Sequence, residues 1–595
     1  MNLFSRKLGT LKLSASTEQQ QSGVATICEN VKQRLVYSSQ RRLQTVMHTG
    51  IHNLQTAVAL MLACLQLIES ATPNVFVIIA DDVGTGDIPF WWNVSSSLVD
   101  MPNIKMLADK GVSFRDAHST PLCAPSRYML LSGNYQHRGE KAAGTWNING
   151  NSNQFQPFQK SIAEALQDGA SINTAIIGKW HIGGKIPLAV DGTLDKKYKL
   201  TSPGHDWSRP LIGGPQDIGF NYSMITPAGI QNAPYVFFRD GFPEVDVSDA
   251  VFWKRGYYNK AGGTSQIERP GEGDPDWDST TYNQILVNET AAFLDNHMLT
   301  RPDDPFFVYA ALGAVHGPHT PPDNYLDGTP VKGSQNGSLH MDMLFEMDLA
   351  VGSMVSMIED RGLLNETIII FASDNGGAKT KASKEFGHDS HGPLRGAKGS
   401  VYEGGHRVPM IFRYDGHFPV NETRNALVGL NDLYATICAL TGVAVPDKSA
   451  QDSVSFAHHI YDGNDTANLR TWLATWSYPR GLLTSLAIRK NNLKFVQHLA
   501  PNRTSEIYDL DVDIGETNNL VFTFAKKERN KLWRKLIKEG PCPRDRKKSM
   551  LVNGTRVDCD FFREDKRRCR EYSEGEKNCN SVCGRHKTTC DKSFG

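Results

Sequence analysis

NVFVIIADDVG, residues 74–84, is an apolar run that ends abruptly in Asp81 and Asp82. It reads as a strand buried on both faces, because a half-exposed strand would alternate apolar with polar residues. Three later stretches repeat the form. NTAIIGKWHIGG (173–184) ends in Lys179 and His181, PFFVYAALGAVHGPH (305–319) leads to His316 and His319, and ETIIIFASDNGG (366–377) leads to Asp374 and Asn375. Between the last two, Leu344, Met347, Val351, Met354 and Ile358 recur at helical spacing. Short apolar runs alternating with helical patterns predict an α/β fold: a large mixed, mostly parallel sheet sandwiched by helices.

In such sheets ligands bind beyond the carboxyl ends of the strands, so four strand ends deliver their polar residues to one edge. Taken singly, each has a plain structural explanation, such as a helix-capping carboxylate or a turn-forming glycine pair. Four matching ends together point to a site. Asp81, Asp82, Asp374 and Asn375 offer oxygen ligands, which suit a hard divalent cation, Ca²⁺ in preference to Mg²⁺, and argue against zinc. Lys179, His181, His316 and Lys398, the last within GPLRGAKGSVYEGGHRVP (392–409), add positive charge and proton donors. A cation beside several basic groups makes a receptor for a tetrahedral oxyanion ester.

The bulk properties limit the partners. The chain has 595 residues, enough for a large domain plus smaller units. Its 64 basic side chains balance 64 acidic ones, which removes the global electrostatic reason to expect nucleic acid. Nine N-x-S/T sequons, at Asn93, Asn221, Asn288, Asn336, Asn365, Asn421, Asn464, Asn502 and Asn553, fit a secretory route to a secreted or lumenal address. Six of the ten cysteines crowd the C-terminus, at 542, 559, 569, 579, 583 and 590, and suggest disulfides formed in an oxidising compartment. TAVALMLACLQLIESA (56–71) is shorter than a spanning helix needs and ends in small residues, as a cleaved signal peptide does. A start at Met47 would make it an ordinary signal. The alternative is an uncleaved type II anchor with the preceding residues cytoplasmic, the only reading that involves a membrane.

A nucleophile is still wanted, and STPLCAPSRYMLLSGNYQHRG (119–139) offers Cys123. Cys123-Ala124-Pro125-Ser126-Arg127 resembles the C-x-P-x-R signature of the type I sulfatases of the alkaline phosphatase superfamily. IIADDVG, PNIKMLADKGVSF, GKWHIGG, VHGPHTPP, SDNGG, PLRGAKGSVYEGGHRVP and IYDLDVDIGETNNL accompany it in family order. The resemblance spans roughly residues 72–525 and is strongest to the arylsulfatase branch. It implies that a formylglycine-generating enzyme oxidises Cys123 to Cα-formylglycine during synthesis. One hydroxyl of the hydrated aldehyde then attacks the sulfur of a sulfate ester, and the second expels sulfate by re-forming the carbonyl. By the same resemblance Cys123, once modified, joins Asp81, Asp82, Asp374 and Asn375 at the metal. Arg127 and Lys179 hold the modified residue, His181 is the base, and His316 and Lys398 face the sulfate. His319 is the alternative to His316.

The expected divisions are an N-terminal extension (1–71), a catalytic domain (72–445), a C-terminal subdomain (446–540) and a Cys-rich basic tail (541–595). TWLATWSYPRG, LAIRKNNLKFVQHL and SEIYDLDVD read as an antiparallel meander, followed by the helix FAKKERNKLWRKLIKEG. The tail carries fourteen Lys/Arg against nine Asp/Glu, which makes it either a disulfide-stapled appendage or a dock for an anionic polysaccharide. The leading function is sulfuric ester hydrolysis, with a sulfated glycan as one class of substrate. The alternatives are a phosphonate or phosphate monoester hydrolase of the same superfamily and a catalytically silent glycan-binding homologue.

Overall fold

The strand that begins the fold, β1 (Asn74–Ala80), is buried along its whole length and hydrogen-bonded on both sides. A computed structural model describes residues 72–539, apart from 93–97, 142–143, 149–151, 188–204, 246–248, 336, 381–384, 464–469, 479–482 and 500–503. The expected signal or anchor, the Cys-rich tail with its six cysteines, and five of the nine sequons therefore lie outside the described residues.

Around β1 the main sheet contains β2 (Val112–Phe114), β3 (Asn173–Lys179), β4 (Tyr222–Thr226), β5 (Phe238–Arg239), β6 (Phe242–Pro243), β7 (Phe306–Ala311), β8 (Thr367–Ser373), β9 (Met410–Arg413) and β10 (Glu422–Arg424). Its ten strands run in the order β10-β2-β9-β8-β1-β7-β3-β4-β5-β6. The central five, β8-β1-β7-β3-β4, are parallel. Antiparallel pairings β8-β9 and β4-β5 flank them, so the sheet is mixed.

Side-chain alternation along β1 feeds two cores. Val75, Val77 and Ile79 pack with α2 (Cys123–Ser132), α3 (Ile162–Ala170) and α6 (Asp432–Leu440). Phe76, Ile78 and Ala80 pack on the other face with α1 (Pro102–Asp109), α4 (Tyr282–Thr300) and α5 (Leu339–Asp360). This double burial is why the strand carries no polar alternation. In α5, Leu344, Met347, Val351, Met354 and Ile358 are all buried, as their spacing predicts. α3 starts at a capping box in which Ser161 and Glu164 exchange side-chain and backbone hydrogen bonds.

The second, smaller sheet is antiparallel and ordered β11 (Trp472–Ser477), β12 (Ser485–Lys490), β13 (Leu493–His498), β14 (Ser505–Asp509). Helix α7 (Lys526–Glu539) follows it, with Leu532 and Leu536 buried. This sheet meets the segment 395–407 through buried charge. Glu403 is bonded by Lys494 at 2.9 Å and by Arg407 at 3.2 Å, and Lys494 also reaches Glu516 at 2.9 Å. Lys494→Met would leave two buried carboxylates without their shared cation. The expected cost is about 3–5 kcal/mol, read as a lowered urea midpoint; an unchanged midpoint would show that the cluster is solvated.

Candidate active site

Four of the five parallel strands, β1, β3, β7 and β8, bring the residues at and beyond their carboxyl ends together at one edge. Gly178, at φ +109°, ends the regular course of β3 next to Ala311; a side chain there would collide with the Ala311 carbonyl. Lys179 and His181 follow. His181 and Asp82 both adopt left-handed backbone, at φ 55° and 67°, which non-glycine residues take up only where surrounding contacts enforce it. Gly376 permits the segment at Gly404–Gly405 to approach within backbone contact, and Lys398 is tied to this edge by its amide, which donates to Gly377 O.

Cys123 is the first residue of α2, with Leu122 as extended N-cap, so it sits where helix amides favour negative charge. Thr120 Oγ1 and Ser126 Oγ, 2.8 Å apart, tie the loop before the helix to its first turn. The Cys123 thiol lies 3.3 Å from His181 Nδ1. Burial pushes that thiol above its ordinary pKa, although Lys179 and Lys398 act in the opposite direction. On the far side of the ring, His181 Nε2 lies 3.2 Å from Asn147 Oδ1. An Nε2–H donated to that oxygen leaves the Nδ1 lone pair aimed at position 123, and burial keeps the ring neutral.

Three carboxylates face three cationic side chains. Lys179 donates to Asp81, Lys398 lies 2.5 Å from Asp82, and Arg127 bonds Asp374 through Nη2 at 2.7 Å and Nε at 3.1 Å. The direct partners of Lys179 and Arg127 are thus the acidic residues, whereas the family resemblance assigned both to holding the modified cysteine. Buried cations take the nearest carboxylates because each would otherwise be uncompensated. Burial alone would raise Asp82, but Lys398 and His316 hold it well below the usual carboxylate range. Burial also works against Asp81, and Lys179, His316 and Arg127 together outweigh it and hold its carboxyl below the ordinary value. Asp374 goes the other way: burial and the neighbouring Asp81 push it up to about 7.

That crowding fits a cation. Asp81 Oδ1 and Asn375 Oδ1 are buried with no hydrogen-bond partner, although both residues belong to otherwise well-bonded side chains. Donor atoms of Asp81, Cys123 and Asp374 lie within 4.8 Å of one another, as do those of Asp81, Asp82 and His316. Asn375 joins them through a 2.8 Å bond from Nδ2 to Asp82 Oδ1. A set dominated by oxygen suits a hard divalent ion.

The two candidate histidines separate. His316 Nε2 lies 3.8 Å from Asp82, while its Nδ1 is 2.6 Å from the Gly317 carbonyl. His319 instead packs edge-on against His340, with ring centroids 5.0 Å apart. Every residue expected at the site is thus at this edge, and His316 is the histidine turned toward the carboxylates. Asn147 went unforeseen; it comes from a loop with no strand-end signal.

Such an edge, on an alkaline phosphatase-like sheet, defines a class: the sulfatase family model matches residues 73–443, and the chain belongs to that family and is a sulfate ester hydrolase. A second model, N-sulphoglucosamine sulphohydrolase, C-terminal, matches residues 397–540. Among relatives, the N-acetylgalactosamine-6-O-sulfatase of Bacteroides thetaiotaomicron is 27% identical over 518 residues, covering 78% of this chain and 93% of its own. Human arylsulfatase A is 27% identical over 479 residues, covering 76% and 83%. A solved protein described under the metabolism of multiple glycosaminoglycans by B. thetaiotaomicron superposes with a TM-score of 0.66 at 24% identity, covering 78% of this chain and 99% of its own.

Proposed function

We propose that this sulfatase hydrolyses sulfate monoesters of sulfated glycans in the secretory pathway, with 6-O-sulfated N-acetylgalactosamine as the leading substrate. It would use a divalent cation and a formylglycine made from Cys123 by a formylglycine-generating enzyme. The observation that carries the chemistry is the 3.3 Å approach of a buried thiol, raised in pKa, to His181 Nδ1. A thiol in that state is a poor nucleophile, since the thiolate is the reactive form; an aldehyde hydrate in its place would give His181 a hydroxyl proton to accept.

In this reading Asp81, Asp82, Asp374 and Asn375 hold the cation, Ca²⁺ in preference to Mg²⁺. The cation would supply positive charge toward the ester oxygens. Arg127 and Lys179 orient Asp374 and Asp81, and Lys398 and His316 face the sulfate, where one of the two would serve as general acid to the departing alcohol. Three carboxylates balance three basic side chains, so a bound dication leaves the edge net positive and receptive to an anionic ester.

Support for a glycan comes from the relatives, several of which are N-acetylgalactosamine-6-sulfatases. The secretory reading is supported by Asn221, Asn288, Asn365 and Asn421, the four described sequon asparagines, all exposed. Among the described residues no helix is long and apolar enough to cross a membrane. Cys123 and Cys438 are both free, which leaves Cys123 available for modification.

The test is a substrate panel: 6-sulfated N-acetylgalactosamine, 4-nitrophenyl sulfate, 4-nitrophenyl phosphate and phenylphosphonate esters. Turnover of the sulfates well above the others is expected. Preference for the phosphorus esters would establish the alternative hydrolase, and inertness toward all would establish the silent homologue. In the same assay His181→Ala is expected to lower kcat by about 10²–10⁴-fold. Asn147→Ala should cost less, since it releases only the tautomer of His181, and should displace the pH profile of kcat. Equal effects, or an unmoved profile, would remove Asn147 from this role.

A further inference from the structure

Beyond the reaction edge, the chain makes a β excursion in which Val251–Trp253 pairs with Gly271–Gly273 and Gly256–Lys260 pairs with Gly263–Ile267. Its composition is unusual for a surface. Tyr257 is 72% exposed and Phe252 44%, and the intervening Lys254 and Arg255 are exposed as well. Lys254 and Arg255 make no side-chain ion pair among the described residues, whereas Lys260 is engaged over the Trp253 ring at 5.2 Å. Aromatic faces and unpaired cations are thus presented together.

The excursion abuts the loop that carries His316. At the hairpin turn, Gly262 O accepts the Asp323 amide at 2.9 Å. At the other end, Glu268 Oε1 lies 3.7 Å from the position a side chain on Gly317 would occupy. The ladder ends where Gly256 pairs with Ile267, and Arg255 and Glu268 are the residues that leave it at that end. Arg255 and Tyr257 therefore stand at the hairpin end nearest the His316–Gly317 turn.

We propose that this hairpin is a subsite for the continuing chain of a sulfated polysaccharide whose terminal ester occupies the reaction edge; the proposal rests on the sulfated-glycan reading above. Sugar rings would lie on the exposed Tyr257 face, which offers rigid apolar area at low entropic cost. Neighbouring sulfates would meet Arg255, whose planar fork matches an oxyanion, and Lys254. The Glu268 carboxylate at the same end would accept a sugar hydroxyl. Charge complementarity selects an anionic glycan over a neutral one.

The experiment uses the full chain, tail included, so that any difference reads the hairpin alone. The variant Lys254→Ala/Arg255→Ala/Tyr257→Ala is compared with the unaltered protein for binding to chondroitin 6-sulfate and to desulfated chondroitin, at several salt concentrations. Hydrolysis of 6-sulfated N-acetylgalactosamine is followed in parallel. The expected result is about a tenfold or greater loss of affinity for the sulfated polymer, with a shallower salt dependence, from losing one stacking and two exposed ionic contacts. Turnover of the monosaccharide should stay within about twofold, because none of the three groups belongs to the reaction edge. Unchanged polymer affinity, or an equal loss for the desulfated polymer, overturns the subsite and leaves the sulfatase reading standing. A parallel fall in monosaccharide turnover overturns it too, by showing that the hairpin only props the His316 loop. If the unaltered protein hydrolyses no sulfated sugar, the glycan reading fails and the subsite with it.

Discussion

Cys123→Ala is expected to abolish sulfate ester turnover, by at least about 10⁴-fold, because among the described residues Cys123 is the thiol grouped with the carboxylates at this edge. The fold should survive. The side chain is fully buried but small, and its polar contact among the described residues is the 3.3 Å approach to His181, so the urea midpoint should move by no more than about 1 kcal/mol in equivalent stability. Mass spectrometry of the peptide holding residue 123 in active protein should show CH₂SH replaced by CHO. Fully active enzyme containing only the thiol would sink the assignment, and so would a Cys123→Ala variant that keeps its rate.

The second large effect concerns the cation. Chelation followed by removal of the chelator is expected to lower turnover by about 10²–10³-fold or more, with Ca²⁺ restoring it better than Mg²⁺. The pH dependence follows from Asp374. Its folded pKa is raised from 3.8 to about 7, so between those values the cation-free fold holds a proton that the unfolded chain has lost. The stability this proton contributes is fully present below 3.8 and is lost as pH rises to about 7. Cation binding must displace the same proton. Affinity should therefore weaken by about tenfold per pH unit below pH 7, with proton release measurable by calorimetry in buffers of different ionisation enthalpy. Binding that is independent of pH across this window, or a rate indifferent to chelation, would remove Asp374 from the cation site.

Legibility in the sequence followed the range of the interactions. Asp81, Lys179, His316 and Asp374 could be found because each ends or follows a predominantly apolar run, and a strand buried on both faces carries its polar residues chiefly at its ends. Parallel strands put those exits at one edge, so four local signals gave one place. The amphipathic α5 and the C-terminal meander were equally visible, since both rest on short-range periodicity.

What only the tertiary structure decided depends on contacts between distant segments. Whether His316 or His319 faces Asp82 turns on the course of one loop, and its His-Gly-Pro-His sequence is compatible with either. Arg127 and Lys179 bond Asp374 and Asp81 because burial forbids unpaired charge, a constraint that acts only after four segments have met. Asn147 orients His181 from a loop without periodicity. Lys494 joins Glu403 and Glu516 across 91 and 22 residues of chain, although it looks like any other lysine in a strand. Local pattern reports which face of an element is buried; which charges meet is settled by the packing of elements far apart in sequence, where the low dielectric makes each such pairing obligatory.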